Sequence, residues 1–139
     1  MSTDELVQPS LASACRVTTR NYDGVAVLHI KGALNVTSSR GFAAELAGGL
    51  DNDSVLFDLT DVRAIDPVGI GALVGVIWRV HEQGGGVAVT SSRPPIVQAL
   101  RDFGVDRLVY LADSPVSGLG WLSHFHAELQ RLSGADGLD

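Results

Sequence analysis

Two short apolar runs, Val55 to Leu59 and Val87 to Thr90, bracket a stretch that opens on Asp66-Pro67 and closes on Gly84-Gly85-Gly86. No other feature limits the fold as much. Each run is nearly continuous rather than alternating, which marks a strand covered on both faces. Between them Asp66 can cap a helix whose first turn holds Pro67, where a missing N–H costs nothing, and the glycine triplet ends that helix. Strand, helix and strand in this order make a right-handed crossover between parallel neighbours. The chain is therefore built around a parallel sheet with helices packed on it.

The flanking segments extend the pattern. Val17 to Arg20 and Val25 to Lys31 surround Asn21-Tyr22-Asp23-Gly24, where an Asp-Gly step supplies the positive φ of a tight reversal, so an antiparallel hairpin opens the fold. Thr37 or Ser38 can cap a helix through Phe42, Ala43, Leu46 and Ala47 that stops at Gly48-Gly49. Ser91 or Ser92 with Pro94-Pro95 starts another through Ile96, Val97, Leu100 and Phe103 to Gly104, and Leu108 to Leu111 reads as the last strand. After Pro115 a final helix sets Trp121, Leu122, Phe125, Leu129 and Leu132 on one side. The expected fold class is α/β: a small mixed sheet with an N-terminal antiparallel hairpin, later strands parallel, and about four helices. One domain spans residues 14–132, between flexible termini at 1–13 and 133–139.

Composition narrows the function. A chain of 139 residues, 45% of them hydrophobic, supports one core. Ten Lys and Arg against sixteen Asp and Glu leave a net charge of −6, which repels a phosphate backbone, so no nucleic acid partner is expected. The lone Cys15 can neither close an internal disulfide nor build a thiolate zinc site, leaving only an intermolecular redox bridge, and suits a reducing cytoplasm. The opening MSTDELVQPSLASAC has no basic n-region, and no run approaches the roughly 20 apolar residues of a membrane span, so a cytoplasmic protein without membrane insertion is expected. Aromatic residues make up 6% of the chain, too few for a ring-lined ligand cavity.

Enzyme-like constellations are weak. Asp58, Asp61 and Asp66 gather at the carboxyl end of a parallel strand, where receiver domains keep a phosphoacceptor and magnesium, yet Lys31 is the single lysine and no acidic pair follows the first strand. Turn and cap roles explain these aspartates better. His124 and His126 sit two apart and point to different sides of a helix, while His29 and His81 are isolated and read as structural. Gly69-Ile70-Gly71 lacks the lysine and hydroxyl of a phosphate loop. No cofactor, metal or catalytic residue is expected.

The helix after Asp66 carries apolar residues on two sides. Ile70, Leu73, Val74, Ile77 and His81 form the stripe expected to face the sheet, and Val68, Ala72, Gly75, Val76 and Arg79 form the opposite one. Either another element, such as the C-terminal helix, covers that second stripe, or it is a protein-binding face.

The residues Val55 to Leu73, VLFDLTDVRAIDPVGIGAL, followed by Gly84-Gly85-Gly86 and Val87-Ala88-Val89, resemble the STAS domain of bacterial anti-sigma-factor antagonists. Gly32-Ala33-Leu34-Asn35-Val36-Thr37 and the helix from Ile96 to Gly104 agree with it, and the Asp-x-x-Gly-Ile-Gly turn from Asp66 to Gly71 is its most specific part. The resemblance implies a phosphorylation-controlled partner switch, in which the antagonist binds an anti-sigma factor that is also a serine kinase of the GHKL ATPase fold and so frees a sigma factor. With the second stripe of the helix as the docking face, the expected contact or positioning residues are Asn35, Asp66, Val68, Gly69, Ala72, Val76 and Arg79, with Asp66 as helix cap and Arg79 placed to pair with a partner carboxylate at the rim. Two departures stand out. The family turn has a Ser or Thr phosphoacceptor directly before the glycine where this chain has Val68, and Asn35 stands where Asp is common. The expectation is a member held in the binding-competent state. Alternatives are a STAS accessory subunit of a larger assembly such as an ABC-type transporter, or a small-ligand or nucleotide sensor; a homodimer is left open. Incubation with a serine kinase and ATP should leave residues 60–85 unmodified, and phosphate recovered there by mass spectrometry would refute the locked state.

Overall fold

The computed structural model describes residues 15–22, 24–35 and 54–124. Strand β1 (Cys15–Tyr22) pairs antiparallel with β2 (Val25–Leu34), from Cys15 opposite Gly32 to Tyr22 opposite Val25. Gly24 takes φ of +86° in the two-residue reversal, the conformation for which the Asp-Gly step is suited. Strand β3 (Ser54–Ile65), helix α1 (Pro67–Glu82), strand β4 (Val87–Thr90), helix α2 (Pro94–Asp102), a 3-10 turn (Val105–Arg107) and strand β5 (Tyr110–Ala112) follow. Residues 115–124 form helix α3. The five strands lie in chain order, β1-β2-β3-β4-β5, and every pairing after the hairpin is parallel.

That order dictates the layers. Strands added in one direction through crossovers of one hand put their helices on one face of the sheet. Accordingly α1 (Leu73, Ile77, Val80) and α2 (Ile96, Leu100) pack against Leu28, Ile30, Val55, Phe57, Val87 and Val89. The alternate residues Val25, Val27, Leu56 and Ala88 point the other way. Helix α3, released after the last strand, covers them with Leu119, Trp121 and Leu122. The runs Val55 to Leu59 and Val87 to Thr90 are therefore apolar at successive positions because each face has its own layer. The two apolar sides of α1 are not explained by the C-terminal helix, since its described part lies on the opposite face of the sheet.

Four strands have other bounds than expected: β1 extends beyond Val17–Arg20 at both ends, β2 runs three residues past Lys31, and β3 and β5 differ as well. β3 continues six residues beyond Leu59 because β2 still offers a ladder, through Leu34 opposite Ile65, after register irregularities between His29 and Lys31 and between Gly32 and Ala33. β4 stops pairing at Thr90 opposite Asp58, so the ends of β2 and β3 project past the parallel sheet. Leu108 does not start β5. Its N–H donates to Val105 O at 2.9 Å in the 3-10 turn and its carbonyl lies 2.8 Å from His81 Nε2, so the ladder begins at Tyr110. The helix expected over Phe42 to Ala47 and the positions Phe125, Leu129 and Leu132 lie outside the described residues.

Val76 corrects the outer-face assignment. It is 2% exposed and belongs to the core with Ile70, Leu73, Ile77 and Val80. At about 100° per residue these positions form one stripe centred near Leu73, with Val76 about 60° to one side, whereas Val74, expected in the core, is half-buried at its margin. Val76→Ala should cost about 1–3 kcal/mol in urea denaturation through the cavity it leaves, and a loss below about 0.5 kcal/mol would contradict this phase of α1.

Candidate functional site

The start of α1 is fixed against the end of β2. Asp66 N–H donates to Leu34 O at 3.2 Å, closing the β2–β3 ladder, and the Asp66 carboxylate then accepts Gly69 N–H at 2.8 Å as an N-cap. Ile70 N–H donates to Asp66 O at 2.9 Å and begins the helical ladder. A Cβ on Gly69 would lie 2.0 Å from Leu34 O and 3.1 Å from Asn35 N, so the helix approaches the strand end at a distance only glycine permits. Asn35, half-buried in the bend after β2, completes this corner. Three expected residues, Asn35, Asp66 and Gly69, thus come together, and Val68 projects outward from the same turn, 48% exposed.

From Val68 an exposed stripe runs along α1 through Gly71, Gly75 and Trp78, with Arg79 and Glu82 at its far end. The spacing of three and four residues keeps these positions on one line of the helix surface. Gly71 and Gly75 are unlike Gly69: among the described residues a Cβ on either would meet nothing within 4 Å, and neither has positive φ. The fold does not require them to be glycine. Each nevertheless costs about 0.5–1 kcal/mol relative to alanine in a helix interior. Trp78 is 51% exposed, with its ring in an edge contact with His81 at 6.1 Å and 74°, and His81 is held in turn by Leu108 O. The side chain is positioned but its surface faces outward.

Of the other expected contacts, Arg79 is exposed on this face, Ala72 is half-buried against the core, and Val76 is inside. Gly71 and Trp78 escaped the sequence reading, although positions 68, 71, 75 and 78 follow helical spacing. Their signal is weak because glycine is neutral in hydropathy and the exposed stripe holds Val68 and Trp78 as its only large apolar residues.

The aspartates are each engaged separately. The Asp58 carboxylate accepts Thr60 N–H at 3.0 Å and the Thr60 hydroxyl, and Asp61 pairs with His29 Nε2 at 2.7 Å. Asp66 caps α1. Among the described residues no group of three His, Cys, Asp or Glu is arranged to hold a metal ion. Arg93 Nε reaches Thr60 O at 3.4 Å, tying the start of α2 to the projecting end of β3. No described helix is long and apolar enough to cross a membrane.

The STAS domain family profile matches residues 16–118. No curated protein matches the sequence. Among solved structures, an anti-sigma factor antagonist from Mycobacterium paratuberculosis is similar at a TM-score of 0.73 and 16% identity, covering 80% of this chain and 96% of its own. RsbS from Moorella thermoacetica gives 0.68 and 21% identity, over 81% of this chain and 98% of its own. A murine anion transporter of the Solute Carrier 26 family gives 0.70 and 13%, over 88% of this chain but 24% of the transporter. At these identities the likeness is one of fold.

The three glycines of α1 should separate in denaturation experiments. Gly71→Ala and Gly75→Ala should each stabilise the chain by about 0.5–1 kcal/mol, whereas Gly69→Ala should destabilise it by about 2 kcal/mol or more. Equal responses at all three positions would contradict the close approach at Leu34.

Proposed function

The chain belongs to the STAS domain family, and from that premise we propose that it is a non-enzymatic partner-switching module of the anti-sigma-factor-antagonist kind. The partner is an anti-sigma factor of GHKL ATPase fold, and the docking surface is the stripe Val68, Gly71, Gly75 and Trp78, with Asn35 and residues 61–67, the end of β3 and the start of α1, beside it. Binding removes the anti-sigma factor from its sigma factor.

The observation that carries this proposal is the pair of open glycines beside an exposed tryptophan. Two helix-interior glycines that relieve no contact among the described residues lower the stability of the chain. Their use is to let another backbone approach α1 closely, with Val68 and Trp78 as apolar anchors on either side. The stripe from 68 to 78 is about 15 Å long, shorter than a standard interface, so the adjoining corner and the end of β3 supply the remaining area.

Val68 also sets the mode of control. A phosphate at the start of α1 would add about −1.5 to −2 charge to the docking surface, and valine has no group to receive it. Control therefore falls on the amount of this protein or on its partner, not on modification of this turn.

Affinity for a purified GHKL-type anti-sigma factor tests the proposal. Val68→Asp and Trp78→Ala should each weaken binding by about tenfold or more, with melting temperature nearly unchanged because both side chains are exposed. Val68→Ser should restore phosphorylation by a kinase-competent partner, with release once modified. Unaltered affinity in Val68→Asp and Trp78→Ala would remove α1 from the interface, and selective capture of an ABC-type ATPase would favour the accessory-subunit role instead.

A further inference from the structure

The sheet face opposite α1 carries a feature that docking does not use. Helix α3 covers the middle strands through Leu119 and Leu122 on Val25, Val27 and Leu56. On this face the register sets Thr18 opposite His29, Arg20 opposite Val27 and Tyr22 opposite Val25. Between these β1 side chains and the start of α3 lies a cavity of about 430 Å³. Val27 and His29 form its floor, Thr18, Arg20 and Tyr22 one wall, and Leu119 with Pro115 the other.

Its chemistry is divided. Val27 and Leu119 offer apolar surface, while the β1 wall offers a guanidinium and two hydroxyls. Arg20 is exposed and makes no hydrogen bond or ion pair among the described residues. Arg16, four positions along the same strand, is likewise exposed without such a partner. Asp58 also borders the cavity; strand spacing puts its Cα about 12 Å from that of Arg20, and its Oδ1 accepts both donors of Thr60. Asp61 is engaged by His29. In a chain of net charge −6 the β1 wall therefore presents a cation without an ion-pair partner among the described residues, beside an apolar floor.

We propose that this cavity binds a small amphipathic acid: a carboxylate or phosphate monoester on a compact apolar body. The acid group lies against the Arg20 guanidinium, whose planar fork suits two-point contact with either oxyanion, with the Thr18 and Tyr22 hydroxyls as further donors. The apolar body rests on Val27 and Leu119. The volume is within the range of small-molecule sites and suits a ligand of one ring or a short chain. Because α1 lies on the other face, such a ligand and a docked protein use different side chains.

The full-length chain, labelled with 15N, is titrated with phenyl phosphate and, separately, with benzoate. At least one acid should shift the amide signals of Arg20, Tyr22 and Leu119, and phenol and inorganic phosphate, which each lack one half of the ligand, should bind about tenfold more weakly. Arg20→Gln should weaken the acid by about tenfold without lowering the melting temperature, while Arg16→Gln, outside the cavity lining, should change affinity less than about twofold. Absence of shifts with both acids overturns the proposal. So does inorganic phosphate binding as tightly as the acids, or equal loss in the two arginine variants, since either outcome means general charge attraction. Failure here leaves docking through α1 untouched, because Val68 and Trp78 take no part in the measurement.

Discussion

The arrangement depends on one close approach, where the first turn of α1 meets the last carbonyl of β2. Gly69 has no side chain to separate it from Leu34 O, and Asp66 joins both elements by donating its N–H to that carbonyl and accepting Gly69 N–H with its carboxylate. A contact of this kind positions a helix along its axis and also about it. Once Gly69 faces the strand end, Ile70, Leu73, Val76, Ile77 and Val80 must enter the core, and Val68, Gly71, Gly75 and Trp78 must leave it. The outward face of α1 is thus a consequence of one glycine's contact with one carbonyl.

The topology separates this outward face from the rest of the surface. Parallel strands in chain order collect α1 and α2 on one side, and the other side waits for a helix that comes after the last strand. The described part of helix α3 reaches the middle of the sheet but not the whole antiparallel hairpin, and there the polar side of β1 faces the cavity. Two surfaces of different chemistry result. One is a helix stripe of small and apolar residues, and the other is a cationic pocket with an apolar floor.

Stability is spent at the first of these surfaces. Gly71 and Gly75 weaken α1 without relieving any crowding, and Trp78 and Val68 expose apolar area that a solitary helix would replace with charge. Such choices conflict with local preference, and conflicts of this kind concentrate where a protein meets something else. The missing hydroxyl at position 68 belongs to the same surface. With valine there, the turn contributes shape and apolar contact and has no covalent means of changing its charge.

Much of this was legible in the sequence. Asp66 and Pro67 marked the start of α1 to the residue, the glycine triplet marked its end within two, and Asp23-Gly24 located the hairpin, because caps and turns are local chemistry written in adjacent residues. The continuous runs Val55 to Leu59 and Val87 to Thr90 announced a sheet covered on both faces, and the corner of Asp66 and Gly69 with Val68 beside it was visible in the motif. The rotation of α1 was not. With valines at both 74 and 76, periodicity admits two phases, and the contact with Leu34, distant in sequence, selects the one that buries Val76 and exposes Trp78. The polar end of β3 was equally hidden, since a ladder with β2 keeps residues extended whatever their side chains. The cavity needs three strands and a helix to exist at all. Sequence by itself determined where the described helices and turns and the apolar stretches of strand lie, through preferences that act within a few residues. Tertiary packing alone decided which side of each segment faces out, because that depends on partners the local chain does not contain.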